Sequence, residues 1–335
     1  AIRIRFRADV PVGAYLSGGL DSSIIASIIS SHHSRNRLDT FSVAFSDAGF
    51  DESLYQRQMA EFIGTDHQVV HATHEDIGRV FPDVVRHIES PIMRTAPAPM
   101  FLLSELVRKC GYKVVLTGEG ADEIMAGYDI FKEAKIRRFW ARQPESKWRP
   151  QLFQRLYADI SSLQESGPAF LAEFFRNGLA ESGHPAYSHL IRWRNNRRTC
   201  RFFSQALLSD LAMSTPSIDQ VSYPSRFSSW GPLERAQYLE TTIFLSQYLL
   251  SYQGDRVAMA HSVEGRFPFL DYRLVEFCSH LPAHVKLRNL TDKYLLRQLG
   301  SKWIPREICQ RPKRPYRAPI HKSFFNETKL DYVWD

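Results

Sequence analysis

The apolar and polar positions change rhythm near Gly127. Before it, short apolar runs alternate with longer amphipathic stretches. The runs predict strands at Val12–Leu16, Thr40–Phe45, His67–His71 and Lys113–Leu116. The stretches between them predict helices at Ser22–Ser31, Asp51–Phe62 and Pro99–Lys109. Repeated strand–helix alternation implies an α/β fold: a parallel, twisted sheet with helices on both faces. After Gly127 the chain is rich in Arg and aromatic residues and strand signals thin out. Helices are expected at Leu233–Tyr252, Asp271–His280 and Lys293–Trp303, giving a largely helical C-terminal part. No internal repeat or low-complexity linker interrupts the chain.

Two predicted strands end in glycine-containing turns: Ser17-Gly18-Gly19-Leu20-Asp21-Ser22 after the first, and Thr117-Gly118-Glu119-Gly120 after the fourth. Ligands of open parallel sheets bind beyond the carboxyl ends of the strands, so both turns should face one cleft. Glycines let the backbone approach a ligand closely, and the helix that follows points free N–H groups at it. The simplest reading of the first turn is a tight bend with an Asp or Ser N-cap. The full strand–SGGxDS pattern favours phosphate binding instead, although no Lys is present and Asp21 is negative. A divalent cation between Asp21 and the phosphates reconciles the two, since Mg²⁺ takes carboxylate, phosphate and water oxygens.

Composition limits the alternatives. The chain has 335 residues, 44% of them hydrophobic, which is enough for one large domain or two smaller ones. No apolar run reaches the ~18 residues of a membrane span, and no signal-peptide pattern opens the chain. Cys110, Cys200, Cys278 and Cys309 lack paired spacing, which argues against a zinc site or a disulfide framework and for a cytoplasmic setting. The formal charge of +7 fits nucleic acid, a polyanionic nucleotide or plain solvated surface. Its densest stretches are Arg192–Arg201 and Arg311–Arg317, each of which reads most simply as a solvated basic face.

The first turn resembles the pyrophosphate loop (PP-loop) of the N-type ATP pyrophosphatases, with their adenine nucleotide α-hydrolase-like fold. These include GMP, NAD, argininosuccinate, tRNA-lysidine and asparagine synthetases. Three further segments choose among them. L-T-G-E-G-A-D-E-I-M-A-G-Y (Leu116–Tyr128) is similar to a segment shared by asparagine synthetases and β-lactam synthetases. D-R-V-A-M-A-H-S-V-E-G-R-F-P-F-L-D (Asp255–Asp271) resembles a long asparagine synthetase signature. By itself it reads as a helix and a turn, with Arg256, Glu264 and Arg266 in ion pairs. K-Y-L-L-R (Lys293–Arg297) and R-P-K-R-P-Y (Arg311–Tyr316) resemble a third pair of family segments.

The resemblance covers nearly the whole chain, 1–335, as a synthetase domain: a nucleotide-binding core over 10–130, a helical insertion over 131–230 and a helical part over 231–335. It implies ATP and Mg²⁺ as cofactors. Ser17, Gly18, Gly19, Asp21 and Ser22 would hold pyrophosphate, Leu16, Val43, Thr117 and Gly118 the adenosine, and Asp21 with Asp122 the metal. Glu119 and Lys313 would be catalytic. The implied reaction is amidation of a substrate carboxylate through an acyl-adenylate, with ammonia supplied by a glutaminase. No cysteine stands at the start of this chain, so an N-terminal glutaminase domain or a separate glutaminase partner is expected, as for a domain cut from a longer protein. A homodimer is compatible with this reading; nucleic acid and membrane partners are not expected. Two departures concern the acceptor. Arg94 and Thr95 replace an acidic position of common asparagine synthetases, and Pro315-Tyr316 replaces Gly-Phe. The acid is therefore aspartate or one from a specialised pathway. An RNA-modifying pyrophosphatase and a catalytically silent binding subunit are the rival readings.

Overall fold

The computed structural model describes residues 1–32, 37–156, 167–214, 222–328 and 330–334. They form two compact units, Ala1–Met125 with Thr241–Asp335, and Ala126–Glu240.

The first unit is built on five parallel strands: β1 (Val12–Tyr15), β2 (Asp39–Phe45), β3 (Asp66–Ala72), β4 (Val114–Leu116) and β5 (Glu264–Arg266). Their order is β3-β2-β1-β4-β5. In sequence the chain runs outward from β1 to β3, then returns to the other side of β1 for β4. Tyr15 pairs with Phe41 on one side, and Ala14 pairs with Leu116 on the other. The strand order therefore reverses between β1 and β4, and the crevice opens at the carboxyl ends of those two strands.

Alternation along the strands splits the core. Ala14, Leu16 and Leu116 face a cluster with α2 (Leu20–His32), α3 (Ser53–Ile63) and α6 (Ala121–Met125), which includes Ile25, Met59 and Ile124. Tyr15, Val43 and Val115 face a second cluster with α4 (His74–Ile88) and α5 (Pro97–Lys109), which includes Ile77, Val84 and Phe101. Both faces are thus covered by helices. An N-terminal turn, α1 (Ile2–Arg5), is tied down by Arg5 on Asp271 at 2.7 Å and by Arg266, which donates to the Arg5 and Arg7 carbonyls.

Three elements differ from the sequence reading. The segment after Asp255 holds only a short helix, Arg256–Met259, before Ser262 takes a left-handed φ and β5 begins. The ion pairs expected there exist: Arg256–Glu89 at 2.7 Å and Arg266–Glu264 at 2.8 Å. The long helix predicted over Leu233–Tyr252 is α-helical only at Pro232–Leu239 and π-wound from Glu240 to Asp255. Helix α4 was not anticipated, although Thr73 and Asp76 form a reciprocal capping box at its start.

In the second unit, α7 (Asp129–Ala141) packs with later helices around Trp140, Phe153 and Phe175, the latter two rings stacked at 4.2 Å. Arg137 is buried and donates to the Phe175, Tyr187 and Asn177 carbonyls. The basic stretch from Arg192 is partly consumed inside the unit. Arg192 grips buried Glu133 through both nitrogens, and Arg194 grips Glu181 in the same way.

Candidate active site

The turn after β1 is folded on itself. Ser17 Oγ lies 2.9 Å from Ser22 Oγ, the Ser17 N–H donates to Ser22 Oγ, and the Gly19 N–H donates to Ser17 Oγ. Gly18 has φ +71°, a conformation that favours glycine. The turn after β4 closes against it. A Cβ on Gly118 would sit 3.0 Å from Asp21 Cβ and 3.1 Å from the Ser22 nitrogen, so a larger residue would push the two turns apart by a few tenths of an ångström. That contact places Asp21, in the first turn of α2, beside Asp122, in the first turn of α6.

Two lysines from the far end of the chain neutralise this pair. Lys293 Nζ lies 2.5 Å from Asp21 Oδ2 and 2.7 Å from Asp122 Oδ1. Lys313 Nζ donates to Asp122 Oδ2 at 2.8 Å. Lys293 is only 2% exposed and holds a left-handed φ of +45°. Burial alone would raise the Asp122 pKa, but the two ammonium groups hold it down at about 2. Burial would likewise lower the Lys313 pKa, and Asp122 and Asp21 push it upward instead. For Asp21 the desolvation outweighs Lys293, and its pKa is raised.

Glu119 stands next to this ladder. Burial lifts its pKa to about 7, against the opposing pull of Lys313. Its side chain borders a narrow, mostly apolar cavity that is also lined by Tyr15, Met100, Leu249, Asp255 and Phe267.

The segment from Arg311 to Pro319 is not a solvated loop. Arg311 pairs with Glu52, donates to the Gly18 carbonyl and lies 3.7 Å over the Tyr55 ring. Arg314 donates to the Asp51 and Gly49 carbonyls. Tyr316 donates to the Ala96 carbonyl, and buried Thr95 donates to the Pro319 carbonyl at 2.8 Å. Thr95 therefore pins backbone, and of the two residues at the altered position only Arg94 is free to meet a ligand.

Of the residues named from sequence, Ser17, Gly18, Gly19, Asp21, Ser22, Thr117, Gly118, Glu119, Asp122 and Lys313 come together around the two turns. Leu16 follows β1 directly, and its N–H donates to the Phe41 carbonyl. Val43 stands on the neighbouring strand β2, its carbonyl occupied by Gln56 Nε2 at 2.8 Å. Sequence reasoning missed Lys293, Arg311 and Glu52 as parts of the site. The K-Y-L-L-R segment was the one signal that pointed toward Lys293.

Among the described residues no group of three or more His, Cys, Asp or Glu side chains gathers to hold an ion by protein ligands alone. Asp21 Oδ1 is buried and without a hydrogen-bond partner, and carboxylate oxygens are the donor type that hard cations take together with phosphate and water.

Residues 1–333 match the asparagine synthase family. The chain belongs to this family. It is 31% identical to amidase chyE of Penicillium rubens over 95% of this chain and 51% of that protein. It is 28% identical to amidase chry2 of Gibberella zeae over 95% and 51%, and 29% identical to asparagine synthetase [glutamine-hydrolyzing] 1 of Bacillus subtilis over 98% and 49%. The chain thus spans about half the length of the curated relatives it matches. Within the asparagine synthase family match lie both turns, both aspartates and both lysines.

Proposed function

We propose that this chain is the synthetase part of a carbon–nitrogen ligase that amidates a carboxylic acid at the expense of ATP. The observation that carries the reading is the Asp21–Lys293–Asp122–Lys313 ladder at the strand-order reversal, with Glu119 beside it. A substrate carboxylate oxygen attacks the α-phosphorus of ATP, the bond to the β-phosphate oxygen breaks, and pyrophosphate is retained by the turn after β1. Asp21 and Asp122 would hold Mg²⁺, which neutralises phosphate charge when bound. The nitrogen of ammonia then attacks the acyl carbon, the bond to AMP breaks, and the proton shed by nitrogen goes to Glu119. A carboxyl with a pKa of about 7 is about half ionised at neutral pH and suits that exchange. Lys313 offsets negative charge as it develops on the phosphate and on the tetrahedral carbon's oxygen. A glutaminase domain or partner would supply the ammonia.

The test is acid-dependent exchange of pyrophosphate into ATP. Asp21→Ala should abolish it, and retained exchange would remove the phosphate site from this turn. The RNA-modifying alternative loses support from the consumption of Arg192, Arg194, Arg311 and Arg314 by internal partners. The silent-subunit alternative predicts that Mg·ATP gives no heat of binding in calorimetry.

A further inference from the structure

The side chain of Arg297 is used entirely inside the protein. It stands on the helix Tyr294–Gly300, is 11% exposed, and donates to four acceptors. Nε donates to the Asp292 carbonyl at 2.9 Å, and Nη2 to Asp292 Oδ2 at 2.5 Å. Nη1 donates to the Cys309 carbonyl at 2.5 Å and to the Arg311 carbonyl at 2.8 Å. A guanidinium carries its N–H donors in one fixed plane, so four acceptors on one fork have little freedom relative to each other. The backbone N–H of Arg297 adds a bond to the Lys293 carbonyl at 2.9 Å. One residue therefore holds both peptide planes that flank the Lys293 Cα. Those planes matter because Lys293 has a left-handed φ of +45°. A side-chain-bearing residue keeps such a backbone only where its surroundings over-determine it.

The other two acceptors lie in the segment that carries Lys313. Arg311 precedes Lys313 by two residues, and its own side chain goes on to Glu52 and to the Gly18 carbonyl in the turn after β1. Lys293 and Lys313 meet on Asp122, at 2.7 Å and 2.8 Å, from segments twenty positions apart. Behind both segments stands the same guanidinium. We propose that Arg297 is a positioning residue: it sets the separation of the Lys293 and Lys313 ammonium groups, and so fixes where positive charge stands when ATP phosphates are held beside Asp122. This rests on the ligase reading above and deepens it by naming what places its two cations. A lysine could not do the same work, because an ammonium is a compact point charge without the fork.

The test is Arg297→Lys in the full chain. It keeps a cation for buried Asp292, so the fold should persist, but it cannot hold the Asp292, Cys309 and Arg311 carbonyls together. Acetic anhydride labelling, read by mass spectrometry, reports how freely each lysine reacts. Lys293 and Lys313 should both react about tenfold faster in the variant, as the hold on their segments loosens. Lys286 should stay unreactive; it is 1% exposed on the helix Ala283–Lys286, which packs against Tyr294–Gly300. The affinity for Mg·ATP in calorimetry should fall about tenfold, the size of one charge-assisted contact. The proposal is overturned if only one of the two lysines, or neither, gains reactivity, or if the affinity is unchanged. It is also overturned if Lys286 gains as much, since that marks a general loosening. No heat from Mg·ATP with the unsubstituted chain sinks the ligase reading instead, and the labelling still decides whether Arg297 places the two lysines.

Discussion

The ammonium of Lys293 lies 2.5 Å from the carboxylate of Asp21, across 272 positions of sequence. It also reaches Asp122, so one side chain joins the turns after β1 and β4. Removing it leaves a carboxylate in a site that desolvates it without its nearest cation.

Lys293→Ala should therefore cost about 3 kcal/mol of stability, the cost of orphaning a buried charge. Urea unfolding measures it. Adding Asp21→Asn in the same chain should return much of the loss, because the stranded charge is then gone; a fully additive double variant would show that the two side chains are not coupled.

Glu119→Gln should leave pyrophosphate exchange near its original rate while slowing amide formation by about a hundredfold or more. In the unsubstituted chain amide formation should rise with pH through about 7 as the carboxyl ionises. Stability moves the other way. The folded pKa lies above the unfolded value, so between about 4.5 and 7 the folded chain holds a proton that the unfolded chain has released. Unfolding free energy should fall as pH rises through that window, and Glu119→Gln should flatten the slope.

Gly118→Ala should weaken nucleotide binding and exchange by about tenfold or more, because the new Cβ would press on Asp21 and on the Ser22 backbone. Gly183→Ala, which meets nothing within 4 Å, is the matched control and should leave both unchanged. Equal effects would remove the close approach as the cause.

Arg192→Ala should destabilise the Ala126–Glu240 unit by about 3 kcal/mol, since it strands Glu133, which is 1% exposed. Differential unfolding of that unit, read by its tryptophans Trp140, Trp148, Trp193 and Trp230, is the measurement. A merely solvated arginine would cost about 0.5 kcal/mol or less.

Sequence showed most of the sheet and half of the site. Strands β1, β2 and β4 are apolar runs with local stops, whereas β3 shows in the sequence only as Val69-Val70 between polar residues. Strand β5 is three residues, Glu264-Gly265-Arg266, with a charge at each end and glycine between; it is a strand because Val114–Leu116 lies alongside it, and no local pattern says so. Helix α4 was hidden by Pro82 inside it and by its many charges, although its cap at Thr73 was readable. Asp21, Glu119, Asp122 and Lys313 could be named because they stand in recognisable segments. Lys293 looks like an ordinary helix start, and its role depends on a left-handed backbone and on partners far away in sequence. Arg311 likewise reads as surface charge until Glu52 is placed beneath it.

The order in which the ladder is written along the chain has a bearing on its synthesis. A ribosome delivers Asp21 and Asp122 well before their two lysines, at 293 and 313. Domains fold as their residues emerge, N-terminal parts first. A nascent chain that already carries the sheet strands β1 to β4 and both turns still lacks the cations that join them. A chain stopped between Asp122 and Lys293 should therefore carry the visible outline of a nucleotide site and use no ATP, because the site depends on cations that arrive last.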